Sequence, residues 1–437
     1  MSLFFNQKIT RSNYINIIFS LIPVSFIGGN MAININIALL LFSVIFLYGK
    51  KVFKIKYYFL DKLIILFFSL VLFTGFFNDA FFYITDSWPK SRALGLYTTL
   101  KSILYLRFLI LYFVIRFLIE NKILNLKKFF ISCTLCSVFV CLDLYYQLNF
   151  GQDIFGHKPV GARLSGPFGN ELIAGGYIQR FSIFSFFLIP IFFNTNVKQI
   201  LKFLIPIFFI FLFAAIIISG NRMPLVLFLF SIFLIILFEK KTRKYLLTFL
   251  IVFPILFLII YKFNDRTRGT FDTFYNQVQS MAQIVITKDF KNKNSPQYFK
   301  EFSTFYDTWL LNKYIGGGIK NFRYYCHHRE NIDKNSKFIC NMHPHNYYLE
   351  ILTETGLVGF SIVSLIFLII LYISIFKKYF TESPLKYNHL ITPFMFLFLT
   401  EIFPIRSTGS FFTTGNTTYL FLIMAVTVAF SRKQNIS

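Results

Sequence analysis

The stretch FLIPIFFIFLFAAIII, Phe203 to Ile218, runs into Ser219-Gly220-Asn221-Arg222-Met223-Pro224 and then into a second apolar run that ends at Phe238. Neither run alternates apolar with polar residues, so neither reads as a strand of a membrane β-barrel. As helices, such runs suit a hydrocarbon core of about 30 Å. Runs like these recur along the whole chain. The 437 residues are 56% hydrophobic and only 14% charged, where a soluble domain averages about 25% charged. The sequence therefore predicts an all-α, polytopic transmembrane bundle. The net charge of +25 does not indicate nucleic acid, because the basic residues are scattered among connections rather than gathered into one patch.

About twelve spans are expected, near residues 14–29, 31–49, 60–77, 99–119, 129–149, 172–193, 200–218, 223–238, 245–261, 346–376, 389–404 and 411–430. The first, Asn13–Gly29, has no small-residue cleavage site after it and reads as a span rather than a removed signal. Alternate connections are rich in lysine and arginine: Lys50, Lys51 and Lys54; Arg116 and Lys122; Lys240, Lys241, Arg243 and Lys244; Lys377 and Lys378. The termini add Lys8, Arg11, Arg432 and Lys433, while the opposite connections hold few, such as Lys90, Arg92 and Arg163. The positive-inside rule then puts both termini in the cytoplasm. With no internal repeat, residues 1–437 form a single membrane domain. Its one long connection, 262–345, lies outside between spans nine and ten and is expected to be partly helical. In it, Tyr298–Leu311 presents Phe302, Phe305, Tyr306 and Trp309 at helical spacing.

Ionisable groups inside lipid are costly, so their positions carry information. Asp143, Arg180, Arg107 and Glu401 fall in the outer halves of spans, with Arg163, Arg222, Arg266, Arg268 and Arg406 just beyond. Structural ion pairing, for example Asp143 with Arg180, explains part of this set. The cytoplasmic half is expected to hold almost no buried charge. Cys326 and Cys340 share the outside loop, where an oxidising compartment favours a disulfide. Cys340 also neighbours His343 and His345, but zinc-site spacings are absent and no metal is expected.

Two local features suit chemistry at the outer face. At Ser219–Pro224 two spans meet in a tight turn, where the free N–H groups of a helix start and Arg222 suit an anion such as a diphosphate. His343-Pro344-His345-Asn346 ends the long loop. A neutral imidazole at His345 can accept a proton from a hydroxyl. On a continuous helix, Leu349, Leu352, Gly356 and Gly359 follow His345 on one stripe. The two glycines then open a groove for another helix or a lipid tail.

The run His345-Asn346, nine residues, Gly356, two residues, Gly359 resembles the signature of the O-antigen ligase and polymerase superfamily. Arg163-Leu164-Ser165-Gly166-Pro167-Phe168-Gly169-Asn170, the Ser219–Arg222 turn, and Gly316-Gly317-Gly318 with Phe322 are similar to further family stretches. The resemblance implies transfer of a glycan from an undecaprenyl-diphosphate-linked donor to an acceptor hydroxyl, of lipid A–core or another glycan, at the periplasmic face of a bacterial inner membrane. No metal, nucleotide or other cofactor is implied. Carried over, His345 is catalytic, Arg222 holds diphosphate, and Arg266 or Arg268 is the second loop arginine. Arg163, His343 and Asn346 complete the substrate-binding set. Membrane lipids are the remaining expected partner.

Within that superfamily, ligation to lipid A–core, polymerisation of repeat units and transfer to protein share the same motifs. From another class, a flippase of lipid-linked glycans also has about twelve spans. Transporters place polar sites at the midplane of repeated halves, and here one long loop breaks any such symmetry.

Overall fold

The computed structural model describes residues 11–84, 95–192, 198–240, 242–243, 246–287, 297–328, 340, 343–406 and 409–432. Lys8, Lys90, Arg92, Lys241, Lys244 and Lys433, used above to orient the chain, lie outside the described residues. The order of helices is α1 (Arg11–Ser20), α2 (Ile22–Ile27), α3 (Gly29–Tyr48), α4 (Phe59–Ile84), α5 (Tyr97–Tyr105), α6 (Arg107–Glu120), α7 (Leu126–Phe150), α8 (Ala174–Phe181), α9 (Ile183–Phe192) and α10 (Lys198–Ile218). It continues with α11 (Arg222–Phe238), α12 (Leu246–Phe263), α13 (Asp265–Thr287), α14 (Gln297–Leu310), α15 (Phe322–Tyr325), α16 (Tyr347–Leu371), α17 (Lys377–Phe380), α18 (Ile391–Glu401) and α19 (Thr414–Arg432). Among the described residues there is no strand, only an isolated bridge between Val160 and Arg163.

Among the described residues, six helical stretches are long and apolar enough to cross a membrane: Gly29–Phe53, Phe59–Phe81, Tyr97–Glu120, Leu126–Phe150, Tyr347–Phe380 and Thr414–Arg432. Shorter apolar helices accompany them. The last expected span but one, 389–404, shrinks to the eleven residues of α18, about 16 Å of helix against a core of about 30 Å. The centre is the pair α6 and α19. Every residue from Thr417 to Phe430 of α19 is buried, as are Leu111 to Ile119 of α6. Apolar helices buried all round are those a bundle encloses. On α3, by contrast, Phe42 and Phe46 are 75% and 89% exposed, a surface for lipid rather than water.

The feature that shapes the end of the bundle bearing the histidines is a break in α16. Asn346 caps this helix, its side chain accepting from the N–H groups of Tyr348 and Leu349. At Gly356 the backbone turns to φ 65, ψ −171, and the segment 313–318 enters the gap. Leu357 and Val358 donate to the carbonyls of Lys313 and Tyr314 at 2.8 and 3.1 Å, and Gly317 and Gly318 donate to those of Thr353 and Glu354 at 3.0 and 2.8 Å. Groups released by the break are thereby paired within protein, the condition under which irregular backbone persists in an apolar bundle. Glycine is required on both sides. A Cβ on Gly316 would lie 2.5 Å from the backbone of Glu354 and Gly356, and one on Gly356 would strike Tyr314 and Ile315. The expected unbroken stripe from His345 through Gly356 to Gly359 is therefore corrected. His345 precedes the helix, the break separates the two glycines, and the close neighbour at Gly356 is the chain's own loop. Gly359 faces Thr355 and Leu70.

The half expected to face the cytoplasm was expected to be nearly free of buried charge, and this too is corrected. Arg116 and Asp61, both fully buried, pair at 2.6 Å, and Arg432 joins Asp61 at 2.9 Å. This cluster sits where α6 and α19 end, remote from Thr414 and Asn416 at the other end of α19.

Candidate functional site

His343-Pro344-His345-Asn346 is held from below by three consecutive residues. Asn346 donates through Nδ2 to the Pro404 carbonyl at 2.9 Å. The Tyr347 hydroxyl donates to Glu401 at 2.7 Å, and that of Tyr348 to the Ile402 carbonyl at 2.5 Å. The first turn of α16 is thus stapled to the end of α18. Just ahead of it, His345 adopts φ 55, a conformation that costs a non-glycine residue about 1–3 kcal/mol and persists only where its surroundings enforce it. Its ring meets that of His343 edge to face at 4.5 Å. Burial first, then the charges of His345 and Lys320, push the His343 imidazole down to about 4. His343 is therefore neutral at neutral pH and places no competing charge beside its neighbour.

A disulfide joins Cys326 to Cys340. It ties the approach to the histidines onto a small cluster in which Phe305 of α14 stacks on Phe322 of α15. Cys326, His327 and Cys340 converge closely enough to suit a metal ion, but the two sulfurs are bonded to each other and offer no thiolate, the form that ligates. Helix α14 packs through Thr304, Phe305 and Thr308, while Tyr306 points outward. The aromatic face expected from spacing is thus only partly the packed one.

Arg222 opens α11 after a three-residue turn, as the sequence implies. Its guanidinium donates to Gln277 at 3.1 Å and lies over the Phe274 ring at 5.5 Å, both on α13. Gly220 in the turn has φ 72, and a Cβ there would meet the Arg163 side chain at 3.0 Å and Thr270 at 3.6 Å. Arg163, Arg222 and α13 therefore converge on this turn. Helical spacing puts Arg266 on the α13 face of Thr270, Phe274 and Gln277. Arg268 points elsewhere, exposed and paired with Asp265.

Between these two parts lies a cluster whose pairing the sequence did not reveal. Arg180 binds Glu401 at 2.6 Å, and Arg406 binds its other oxygen at 2.5 Å. The pair expected between Asp143 and Arg180 does not form. Asp143 instead accepts from the Ile154 N–H at 2.9 Å, because the loop after α7 folds back over it. Helix α8 links the parts: the Gly175 N–H donates to Asn221 at 3.0 Å, and Arg180 lies five residues along, about 7.5 Å of rise. Lys320, whose Nζ donates to Ser410 at 3.1 Å, is a further cation at this end that sequence reading missed. Its one sequence signal is its place two residues after the glycine run Gly316–Gly318. Glu350, also buried, accepts from Ser410 and the Phe411 N–H, each at 2.5 Å. One end of the bundle thus collects His343 and His345, the cations Arg163, Arg180, Arg222, Lys320 and Arg406, and the only histidine with a positive φ among the described residues.

The family model described as O-antigen ligase matches residues 207–364. That span runs from within α10 to just beyond Gly359, taking in Arg222, Arg266, Arg268, His343 and His345 and leaving out Arg163, Arg180, Glu401 and Arg406. No curated protein matches the chain.

Proposed function

From the O-antigen ligase domain carried by residues 207–364, we propose that this membrane protein moves a glycan from undecaprenyl diphosphate to a hydroxyl of lipid A–core at the periplasmic face of a bacterial inner membrane. Both termini then lie in the cytoplasm. The observation that carries the reading is His345: ahead of α16 at φ 55, beside a neutral His343, and anchored through the three residues that follow it.

In the reaction, the acceptor oxygen attacks the anomeric carbon from the face opposite the diphosphate. A bond forms between that oxygen and carbon, the carbon–oxygen bond to the diphosphate breaks, and its electron pair leaves on the diphosphate. The hydroxyl proton passes to the His345 imidazole. Diphosphate is already a good leaving group, so what the protein must supply is positive charge where the anion develops. Arg222, Arg163 and Arg266 converge at the turn for that purpose, and guanidinium groups suit phosphate oxygens bidentately. The activated lipid provides the driving force, since the outer face holds no nucleotide triphosphate.

The test pairs two measurements in one strain. Deletion of the gene should leave bare core at the surface while long polymer accumulates on the carrier. Core bearing a single repeat would instead identify a polymerase, and repeat units trapped on the cytoplasmic side would identify a flippase. Complementation with His345→Ala should lower transfer by about 10²–10⁴-fold at an unchanged level of membrane-inserted protein, with Arg222→Ala also severely impaired. Near-normal transfer by His345→Ala would remove the histidine from the mechanism.

A further inference from the structure

At the end of the bundle opposite His345, a cavity of about 460 Å³ is lined by Tyr48, Lys51, Lys54, Ile55, Phe117, Asn121 and Ile123. We propose that it holds the phosphate headgroup of an anionic phospholipid, with one acyl chain lying along α3.

Three observations converge on that occupant. The first is charge. Lys51 and Lys54 line the space, Lys50, Lys56 and Lys122 flank it in sequence, and among the described residues no carboxylate lines it. The nearest acids in sequence are already committed, Asp61 to Arg116 and Arg432 and Glu120 to Arg116. Neither Lys51 nor Lys54 forms an ion pair among the described residues. The second is the wall. Tyr48, Ile55, Phe117 and Ile123 make about half of the lining apolar, which suits a glycerol backbone better than a free ion. Asn121 supplies a neutral polar group, its amide donating to the Phe117 carbonyl at 2.9 Å. The third is continuity with lipid. Ile35, Leu39, Phe42 and Phe46 follow one another at helical spacing on α3 and are 49, 50, 75 and 89% exposed. This stripe ends within a turn of Tyr48, so a chain lying on it delivers a headgroup to the lysines. Basic pockets between helices near a membrane surface are suited to such headgroups, each lysine contributing through the surface field.

The site is remote from the histidines and independent of the transfer reaction proposed above. It would bind bulk anionic lipid whether or not the chain moves a glycan.

The experiment uses the full chain reconstituted in vesicles of phosphatidylethanolamine and phosphatidylglycerol, then extracted and weighed by native mass spectrometry with its retained lipid. Wild type should retain phosphatidylglycerol over phosphatidylethanolamine. Lys51→Glu with Lys54→Glu should lose about 30-fold in retention, while Lys51→Arg with Lys54→Arg should keep it. Ile123→Trp, which narrows the cavity and leaves the charge alone, should weaken lipid retention as well, and it serves if the charge-reversed protein is not monodisperse. Equal retention of the two lipids, or unchanged retention in the Glu and Trp variants, would overturn the proposal. Displacement of the lipid by inorganic phosphate at equal affinity would overturn it too, by identifying the ligand as a soluble anion.

Discussion

At one end of α19 Glu401 receives two guanidinium groups, and at the other end Asp61 does the same. The two clusters are built alike. Tyr347 donates to Glu401 at 2.7 Å and Tyr112 to Asp61 at 2.8 Å. Arg406 lies over Tyr347 as Arg116 lies over Tyr112. The difference is one carboxylate. Arg116 also binds Glu120 at 2.6 Å, so the Asp61 cluster sets two acids against two arginines. The Glu401 cluster sets one acid against two and keeps a unit of positive charge. In a low dielectric, a balanced set is a fastener and an unbalanced one is also a field. The surplus lies at the end with the histidines, where a diphosphate is proposed to arrive.

The largest effect should come from removing the shared acids. Breaking a buried pair by deleting one partner costs about 3–5 kcal/mol. Glu401→Ala strips both of its arginines of their carboxylate, whereas Asp61→Ala leaves Arg116 with Glu120. Membrane protein level and thermal stability in detergent should therefore fall for both variants, and further for Glu401→Ala. The reverse order would break the charge count on which the comparison rests.

The two clusters also divide what a sequence can tell. The helical membrane class was legible throughout, because lipid forces each apolar run to satisfy its backbone internally. The tight turn before Arg222 was legible from Ser219-Gly220-Asn221 and Pro224. Partners were not. Arg116 stands near Lys122 and reads as a loop charge, yet Asp61, distant in sequence, draws it into the core. Arg180 has Asp143 as its obvious mate, and a loop fold gives Asp143 a backbone N–H instead. The break in α16 was hidden for a related reason: a lone glycine such as Gly356 within a helical pattern does not mark a break, and only the docking of 313–318 opens the helix. Tertiary contacts decide such points, and one chain's pattern does not contain them.

A covalent tie distinguishes the histidine end next. The Cys326–Cys340 link closes a loop of 14 residues in sequence, worth about 3 kcal/mol of local order in the chain-entropy model. Cys326→Ser, or reduction of the wild type, should lower glycan transfer while protein level and the Asp61 end are unchanged. Equal transfer with the thiols free would show that α16 and its staples alone position His345.

The loop arginines give a smaller effect and sharpen the picture of surplus charge. Arg266 shares the α13 face that touches the Arg222 turn, and Arg268 is occupied by Asp265. A hydrogen bond to a charged group is worth about 1.5–3 kcal/mol, so Arg266→Ala should reduce transfer about tenfold or more. Arg268→Ala should leave it near wild type. The opposite result would move the anion site away from the turn.

The smallest effect is a pH dependence confined to the histidine end. Burial holds His343 at about 4 in the folded protein, against about 6.5 for an unfolded histidine. Between those values the unfolded state binds more protons, so this residue's contribution to stability falls as pH drops through 6.5 toward 4 and is flat above. The charges of His345 and Lys320 add to burial in setting that lowered value. His343→Gln keeps a hydrogen-bonding side chain and removes the proton. Thermal stability measured from pH 4 to 8 should show wild type losing more than the variant below 6.5, with the two curves parallel above it. Parallel curves throughout would mean that His343 takes up its proton in the folded chain as readily as in the unfolded one, and the neutral neighbour assigned to His345 would be lost.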